Sequence, residues 1–138
     1  MSVSGLLFVV QDLRKTRDFY KKLGFIFKEE TSDFAKAYMN WFSLEFVPAD
    51  KVEPTLFQKV ADTENVKNKG AGLFVQISVD NVDDYHKDLI EKGFKPSSEP
   101  KDWTWGRREF VLRDPDGYKL VFFSKTKPSK TYREKVSS

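Results

Sequence analysis

Few side chains in this sequence could carry out covalent or metal chemistry. There is no cysteine and a single histidine, His86, so thiolate catalysis and a disulfide framework are excluded. No Ser-His-Asp arrangement is within reach, and Gly70-Ala71-Gly72 precedes a predicted strand rather than a helix, which argues against a phosphate-binding loop. The remaining candidates are carboxylates, chiefly Glu45, and aromatic rings that could stack on a ligand.

The first half of the chain has the pattern of one strand, one helix and three further strands. Gly5–Val10 is a short apolar run, and Asp12 can cap a helix over Leu13–Leu23 that ends at Gly24. Three more strands are predicted, over Phe25–Glu30, Phe34–Met39 and Trp41–Val47.

The end of the second half is a predicted hairpin. Arg107–Arg113 alternates polar and apolar residues, as a half-buried strand does. Asp114-Pro115-Asp116-Gly117 has turn chemistry, because proline presets φ, aspartate caps backbone N–H groups and glycine tolerates positive φ. Tyr118–Ser124 is rich in aromatic and β-branched residues, which favours a second strand.

A shift of 69 residues superimposes the two halves of the sequence. The matching pairs are Val10 and Val79, Asp12 and Asn81, Leu13 and Val82, Tyr20 and Leu89, Gly24 and Gly93, and Phe25 and Phe94. The repeat predicts a strand over Gly72–Val79, a helix capped by Asp80 or Asn81 that runs through Lys92, and a strand restarting at Gly93-Phe94. The chain is therefore predicted to hold two βαβββ units.

The tract Trp105 to Phe123 resembles the last two strands of the vicinal-oxygen-chelate superfamily, which holds glyoxalases, bleomycin-resistance proteins and extradiol dioxygenases. The match is strongest to the bleomycin-resistance-like branch, where a Trp-Gly-x-Arg-Glu-Phe strand leads into Asp-Pro-Asp-Gly. This resemblance implies an α+β fold, in which two βαβββ modules form an eight-stranded, open, U-shaped mixed sheet around a cavity, with the helices outside.

The expected organisation is one domain over residues 1–124 followed by a basic C-terminal tail, 125–138. Within the domain, module 1 covers 5–48, a linker covers 49–70 and module 2 covers 71–124. The linker could be a lid, an arm across a dimer partner or a simple connection. The tail carries a net charge of +4, whereas the whole chain carries +3. Residues 1–124 therefore have a net charge of −1.

Strand alternation divides the side chains between the helix side and the implied cavity. The predicted ligand-binding residues are Trp41, Ser43, Glu45, Phe74, Gln76, Trp103, Trp105, Arg107, Glu109, Val121 and Phe123. Glu45 is costly to bury alone, so it is expected to meet Arg107, Arg108 or Lys119, to be partly exposed, or to meet a cationic ligand. Trp103 and Trp105 lie in a polar, turn-rich segment and either cap a pocket or interface or pack ordinarily. His86 lies on the predicted second helix, away from the cavity.

The resemblance also indicates where metal-dependent relatives place their ligands, usually His and Glu. These positions fall on Gly5, Glu45, Phe74 and Val121. Three of the four bring no donor atom, and one carboxylate cannot hold a catalytic cation, which needs about three protein ligands. We therefore expect no metal and no cofactor, and the sequence argues against an enzyme of the metal-dependent classes.

The resulting prediction is a metal-independent protein that sequesters an aromatic or cationic small molecule, with Glu45 or Glu109 meeting the positive charge. The resemblance implies a homodimer with pockets at or near its interface. One alternative is a lyase or isomerase with a non-standard site and Glu45 as general base. The other is a non-catalytic interaction module that uses the linker and tail.

The charge, hydropathy and cysteine content of the sequence indicate which partners and which cell compartment to expect. A basic tail on a near-neutral body lacks the patterned basic face of a nucleic-acid-binding domain. No apolar run is as long as a membrane span, and Met1-Ser2-Val3-Ser4 lacks the features of a signal peptide. We therefore expect neither nucleic acid nor membrane as a partner and, from the missing cysteines, a cytoplasmic protein.

Overall fold

The computed structural model describes residues 1–39, 42–51, 70, 72–103 and 106–126. The chain forms two compact units, Met1–Lys69 and Gly70–Ser138. In the first unit the elements are β1 (Gly5–Val10), α1 (Leu13–Leu23), β2 (Ile26–Glu30), β3 (Ala35–Met39), β4 (Phe42–Pro48) and a short 3₁₀ helix (Ala49–Lys51). In the second they are β5 (Phe74–Ser78), α2 (Val82–Glu91), β6 (Lys101–Trp103), β7 (Arg107–Arg113) and β8 (Lys119–Lys125).

Each unit contains one four-stranded mixed sheet. The strand order is β1-β4-β3-β2 in the first and β5-β8-β7-β6 in the second. In both, the first strand pairs in parallel with the last, and the other pairs are antiparallel. The predicted α+β fold of two βαβββ modules is therefore confirmed, with the eight strands arranged as two sheets of four.

The two helices begin and end in equivalent ways, as the repeat predicts. Asp12 accepts a hydrogen bond from the N–H of Lys15 at 3.2 Å, and Asn81 accepts one from the N–H of Asp84 at 3.1 Å. Of the two cap candidates for α2, the structure thus selects Asn81. Gly24 and Gly93 follow the helices with φ of 110° and 92°, a region that favours glycine.

Each helix packs its apolar side on one face of its sheet. The Tyr20 ring of α1 lies 4.7 Å from that of Phe46, and the Tyr85 ring of α2 lies 4.8 Å from that of Phe122. Both phenylalanines are almost fully buried, and burying such a side chain contributes roughly 1.5–3 kcal/mol. This packing fixes which face of each sheet is left for other contacts. Neither helix is long and apolar enough to cross a bilayer, judged over the described residues.

The turn between β7 and β8 has the predicted chemistry. The Asp114 carboxylate accepts hydrogen bonds from the N–H groups of Asp116 and Tyr118, both at 2.9 Å. Gly117 adopts a φ of 91°. Asp114 is 5% exposed, and its bonds to backbone N–H groups satisfy the buried carboxylate.

The prediction of a strand restarting at Gly93-Phe94 is wrong. Phe94 donates its N–H to the carbonyl of Leu89 at 2.9 Å, which closes the end of α2. Pro96 and Pro100 follow, and proline cannot donate to a strand ladder. The strand therefore begins only at Lys101.

Several predicted features fall outside the described residues. They include Trp41, Trp105, most of the linker (52–69) and most of the tail (127–138). The first residue assigned to the tail, Lys125, is the last residue of β8.

Candidate functional site

The face of each sheet opposite its helix is here called the distal face. In the first module, alternation places Ser43 and Glu45 on this face, since Leu44 and Phe46 on either side are buried with the core. Ser43 is paired with Gly5, and Glu45 is paired with Leu7. The predicted orientation of Ser43 and Glu45 is thus consistent with the strand register.

Glu45 meets a lysine of its own module. Its carboxylate lies 3.7 Å from the Nζ of Lys36, the residue opposite it on β3, and its side chain is 36% exposed. A hydrogen bond with Tyr38, with smaller contributions from Glu29 and Glu45, raises the pKa of Lys36, so this lysine stays cationic. The predicted partial exposure agrees with this contact, but the partner is none of the predicted cations Arg107, Arg108 and Lys119. The period of two in the predicted strand Phe34–Met39 carried the information that points to Lys36.

The distal face of the second module gathers most of the predicted site. Phe74, Gln76 and Ser78 of β5 pair with Lys119, Val121 and Phe123 of β8, and the last two of these pair with Val111 and Glu109 of β7. The full set on this face is Phe74, Gln76, Ser78, Lys101, Trp103, Arg107, Glu109, Val111, Arg113, Lys119, Val121, Phe123 and Lys125. The structure thus brings together the predicted residues of β5, β7 and β8.

Two cations on this face lie over aromatic rings. The guanidinium carbon of Arg107 lies 4.0 Å from the centre of the Phe123 ring, and the Nζ of Lys119 lies 4.3 Å from the centre of the Phe74 ring. Such cation–π contacts stabilise by about 0.5–1 kcal/mol when exposed and by more when desolvated. They also hold both cations close to the surface of the sheet.

Glu109 is the acidic residue of this face. Burial raises the pKa of its carboxyl group, and the nearby Arg107 partly offsets the increase. The shift follows from removing water around a carboxylate.

Trp103 is a strand residue rather than a loop residue. It is the last residue of β6, lies opposite Arg107 of β7, and is 44% exposed. Residues opposite each other in an antiparallel pair have Cβ atoms about 4.5–5.5 Å apart. The indole is therefore a direct neighbour of Arg107.

Arg108 points to the other side of the sheet, where it has a structural role. Its guanidinium donates to both carboxylate oxygens of Asp83, at 2.9 and 3.0 Å, and to Asp102 at 3.1 Å. This lowers the pKa of Asp83 and ties the start of α2 to β6 and β7. Arg108, one of the three cations predicted as partners for Glu45, therefore pairs with Asp83 and Asp102 instead.

His86 lies in the core between α2 and its sheet. The residue is 7% exposed, and its ring stands edge-on to that of Phe110, with centroids 4.9 Å apart. Its Nε2 lies 3.7 Å from Glu99. His86 thus lies on the second helix, as predicted, on the side of the sheet opposite the distal face.

The residues at the four implied metal positions do not fit a divalent cation. A Cβ added to Gly5 would lie 2.5 Å from the Ser43 hydroxyl oxygen and closer still to the Ser43 carbonyl oxygen, so no ligand side chain fits there without moving β4. Phe74 and Val121 bring no donor atom, and Glu45 faces Lys36. Across the described parts of the chain, no group of three His, Cys, Asp or Glu side chains could hold a metal ion.

Three cations of the distal face were not among the residues predicted for the site. Lys101, Arg113 and Lys125 join the face only through strand pairing with Glu109, Lys119 and Arg107. The signal was present for Arg113, which continues the alternation of β7. Lys101 had none, because β6 was predicted in the wrong place.

Comparisons with known proteins agree with this geometry. The sequence profile of the Glyoxalase/Bleomycin resistance protein/Dioxygenase superfamily matches residues 3–122. No curated protein matches the chain.

Solved structures of this class share the fold at low sequence identity. A glyoxalase/bleomycin resistance protein/dioxygenase from Nocardioides has a TM-score of 0.73 at 20% identity, over 94% of this chain and 87% of that one. A family enzyme from Burkholderia phytofirmans PsJN has a TM-score of 0.74 at 18% identity, over 91% and 99%.

A bleomycin-binding protein complexed with bleomycin is also similar, with a TM-score of 0.62 at 17% identity, over 91% of this chain and 99% of that one. At these identities the structures show the fold, and the profile match over most of the sequence shows the family. The chain therefore belongs to the Glyoxalase/Bleomycin resistance protein/Dioxygenase superfamily.

Proposed function

We propose that this protein binds and sequesters a planar aromatic small molecule without a metal ion, chiefly on the distal face of its second module. The observation that carries the proposal is the exposure of large aromatic side chains on one sheet face. Phe74 is 49% exposed and Trp103 is 44% exposed. They lie on the two edge strands of the sheet, β5 and β6, where exposed aromatic rings are candidates for stacking on a ligand.

The donor chemistry of the chain supports a metal-independent mode of binding. The implied metal positions hold Gly5, Phe74, Val121 and one glutamate that already faces a lysine. Stacking and cation–π contacts need no metal, and the exposed Trp103 presents a rigid ring that loses little conformational entropy on binding. Binding without chemical conversion is therefore the function that these side chains favour.

One structural relative offers a probe. The similar bleomycin-binding protein was solved with bleomycin, so bleomycin is a reasonable member of a ligand panel. We also propose a homodimer, supported by exposed apolar side chains of the first module: Leu7 at 41%, Ile26 at 65% and Met39 at 40%.

The alternatives receive less support from the contacts. The Glu45 carboxylate, the candidate general base, already lies 3.7 Å from the Nζ of Lys36, so the contact that the structure gives it is a structural ion pair. An interaction module would depend mainly on the linker and the tail, which lie largely outside the described residues.

Isothermal titration in the presence of EDTA tests the proposal. Bleomycin and a panel of planar aromatic compounds would be titrated into the full chain, and sedimentation equilibrium of the same samples would give the mass of the complex. We expect at least one panel member to bind at one equivalent per chain. The Trp103→Ala variant should bind it about tenfold more weakly, since an aromatic contact contributes roughly 1–1.5 kcal/mol.

The matched control is Ile90→Ala, which removes another exposed apolar side chain, 51% exposed on α2. Its affinity should equal that of the unmodified protein. Binding that requires an added divalent cation, or turnover of the bound compound, would refute metal-free sequestration. A monomeric mass at every concentration would remove the dimer from the proposal.

A further inference from the structure

The charges on the distal face of the second module are strongly unequal. Across its described strands the face carries five cations and one acid: Lys101, Arg107, Arg113, Lys119 and Lys125 against Glu109. The charged residues of the helix side behave differently, because Arg108 there is neutralised by Asp83 and Asp102. Among the described residues of the three strands β6, β7 and β8, the excess of cations therefore lies on the distal face.

The distal face of the first module, taken by itself, has no comparable excess of one charge. Its distal face holds Glu45 beside Lys36 at 3.7 Å, and Glu29 is paired with Lys36 across the sheet. Lys28 and Lys36 both have their Nζ 5.1 Å from the centre of the Tyr38 ring. Two lysines thus accompany two glutamates, and a cationic ligand would have to displace existing contacts.

The positive groups of the second module are arranged around an apolar strip. Arg107 over Phe123 and Lys119 over Phe74 lie toward opposite ends of β8. Lys119 and Phe123 are four residues apart, about 13 Å along a strand. Between them the sheet presents Val121 and Val111, which are paired with each other. Val121 and Phe123 are buried, so the accessible aromatic surface of this face lies at its edge strands, at Phe74 on β5 and Trp103 on β6.

Arg107 is the best-placed of these cations. Its guanidinium rests on the Phe123 ring, and Trp103 is its neighbour across the strand pair. A planar guanidinium offers a fork of N–H donors that matches a carboxylate in two-point contact. Trp103 can stack on the ring attached to that carboxylate.

We propose that the ligand of this face is an aromatic acid, whose carboxylate is bound by Arg107 and whose ring stacks on Trp103. The inference rests on the proposed function and reverses the sign of the ligand charge expected from the sequence. The sequence predicted that Glu45 or Glu109 meets a cationic group, but Lys101 lies opposite Glu109 and the charge of Arg107 also acts on its carboxylate. Attraction to this face should weaken as salt increases.

Three probes with the same ring system test the charge. They are 2-naphthoate, neutral 2-naphthylmethanol and cationic 2-naphthylmethylammonium, each titrated calorimetrically in EDTA at low ionic strength. We expect naphthoate to bind about tenfold more tightly than the neutral probe, as one charge-assisted contact allows. The cationic probe should bind most weakly.

Variants test the position of the carboxylate. Arg107→Gln should weaken naphthoate binding about tenfold while leaving the neutral probe within a factor of two. The matched control is Lys87→Gln, which removes an exposed cation of α2 and should change neither affinity. Far-ultraviolet circular dichroism and the melting temperature establish that each variant is folded.

The outcomes separate the two proposals. If the neutral or cationic probe binds at least as tightly as naphthoate, the aromatic-acid inference is wrong and aromatic binding stands. Equal naphthoate affinity for Arg107→Gln and the unmodified protein also overturns the inference. If none of the three probes binds, and bleomycin and the rest of the panel do not bind either, both proposals fail together.

Discussion

Gly5 shows how one residue type can decide what a site is able to hold. The glycine lies opposite Ser43 in the parallel pair of β1 and β4, and the space above it is filled by the Ser43 carbonyl and hydroxyl oxygens. A histidine at this position would have to displace β4. The position therefore serves close strand packing rather than ligation.

We predict that Gly5→Ala destabilises the protein by about 1–3 kcal/mol, the usual cost of forcing extra atoms into a packed region. The free energy of unfolding, measured by urea denaturation, provides the test. The control is Gly72→Ala, where nothing lies within 4 Å of the added Cβ and φ is not in the left-handed region. That variant should change stability by less than about 1 kcal/mol and, if at all, in the stabilising direction. Equal effects of the two variants would contradict the role assigned to Gly5.

At the scale of elements, the two helices illustrate how the repeat carries structural information. Asp12 and Asn81 cap their helices in the same way. Phe25 and Phe94, the aligned aromatic residues, both donate their N–H groups at 2.9 Å to the equivalent carbonyls of Tyr20 and Leu89. The similarity ends after Phe94, because two prolines delay the next strand.

We predict that Asn81→Ala lowers the free energy of unfolding by about 1 kcal/mol, because the Asp84 N–H loses its side-chain acceptor. Asp80→Ala, which changes the exposed neighbouring residue, should alter it by less than about 0.5 kcal/mol. Urea denaturation of both variants provides the comparison. A larger effect of Asp80→Ala would mean that the helix begins one residue earlier than observed.

At the scale of the whole molecule, family membership and site chemistry lead to different expectations. The profile match over residues 3–122 places the chain in a superfamily that includes dioxygenases, whereas its donor set lacks the groups for a comparable metal site. Fold alone does not fix function, since one scaffold carries many sites. The side chains on the distal faces therefore carry the functional argument.

We predict that the protein purified without chelator contains far less than one equivalent of zinc, nickel, iron or manganese per chain. Adding any of these ions should leave its melting temperature unchanged, because an ion that binds only the folded state would raise it. Elemental analysis and thermal unfolding provide the measurements. One equivalent of metal that survives dialysis and raises the melting temperature would refute the metal-free account.

The sequence by itself determined the modules and their helices, because local capping and turn chemistry act over a few residues and the repeat doubles the signal. It also determined the orientation of Ser43, Phe74, Val121 and Phe123, since strand alternation follows directly from residue number. The hairpin turn at Asp114–Gly117 was readable for the same local reason.

Only the tertiary structure decided the partner of each charge. Glu45 meets Lys36, Arg108 meets Asp83 and Asp102, and Trp103 lies beside Arg107. These contacts depend on strand register and on where β6 begins, which are set by pairing between residues distant in the chain. Lys101 adds to the positive charge of the second module's distal face only because β6 begins there and pairs with β7, which strand alternation could not reveal.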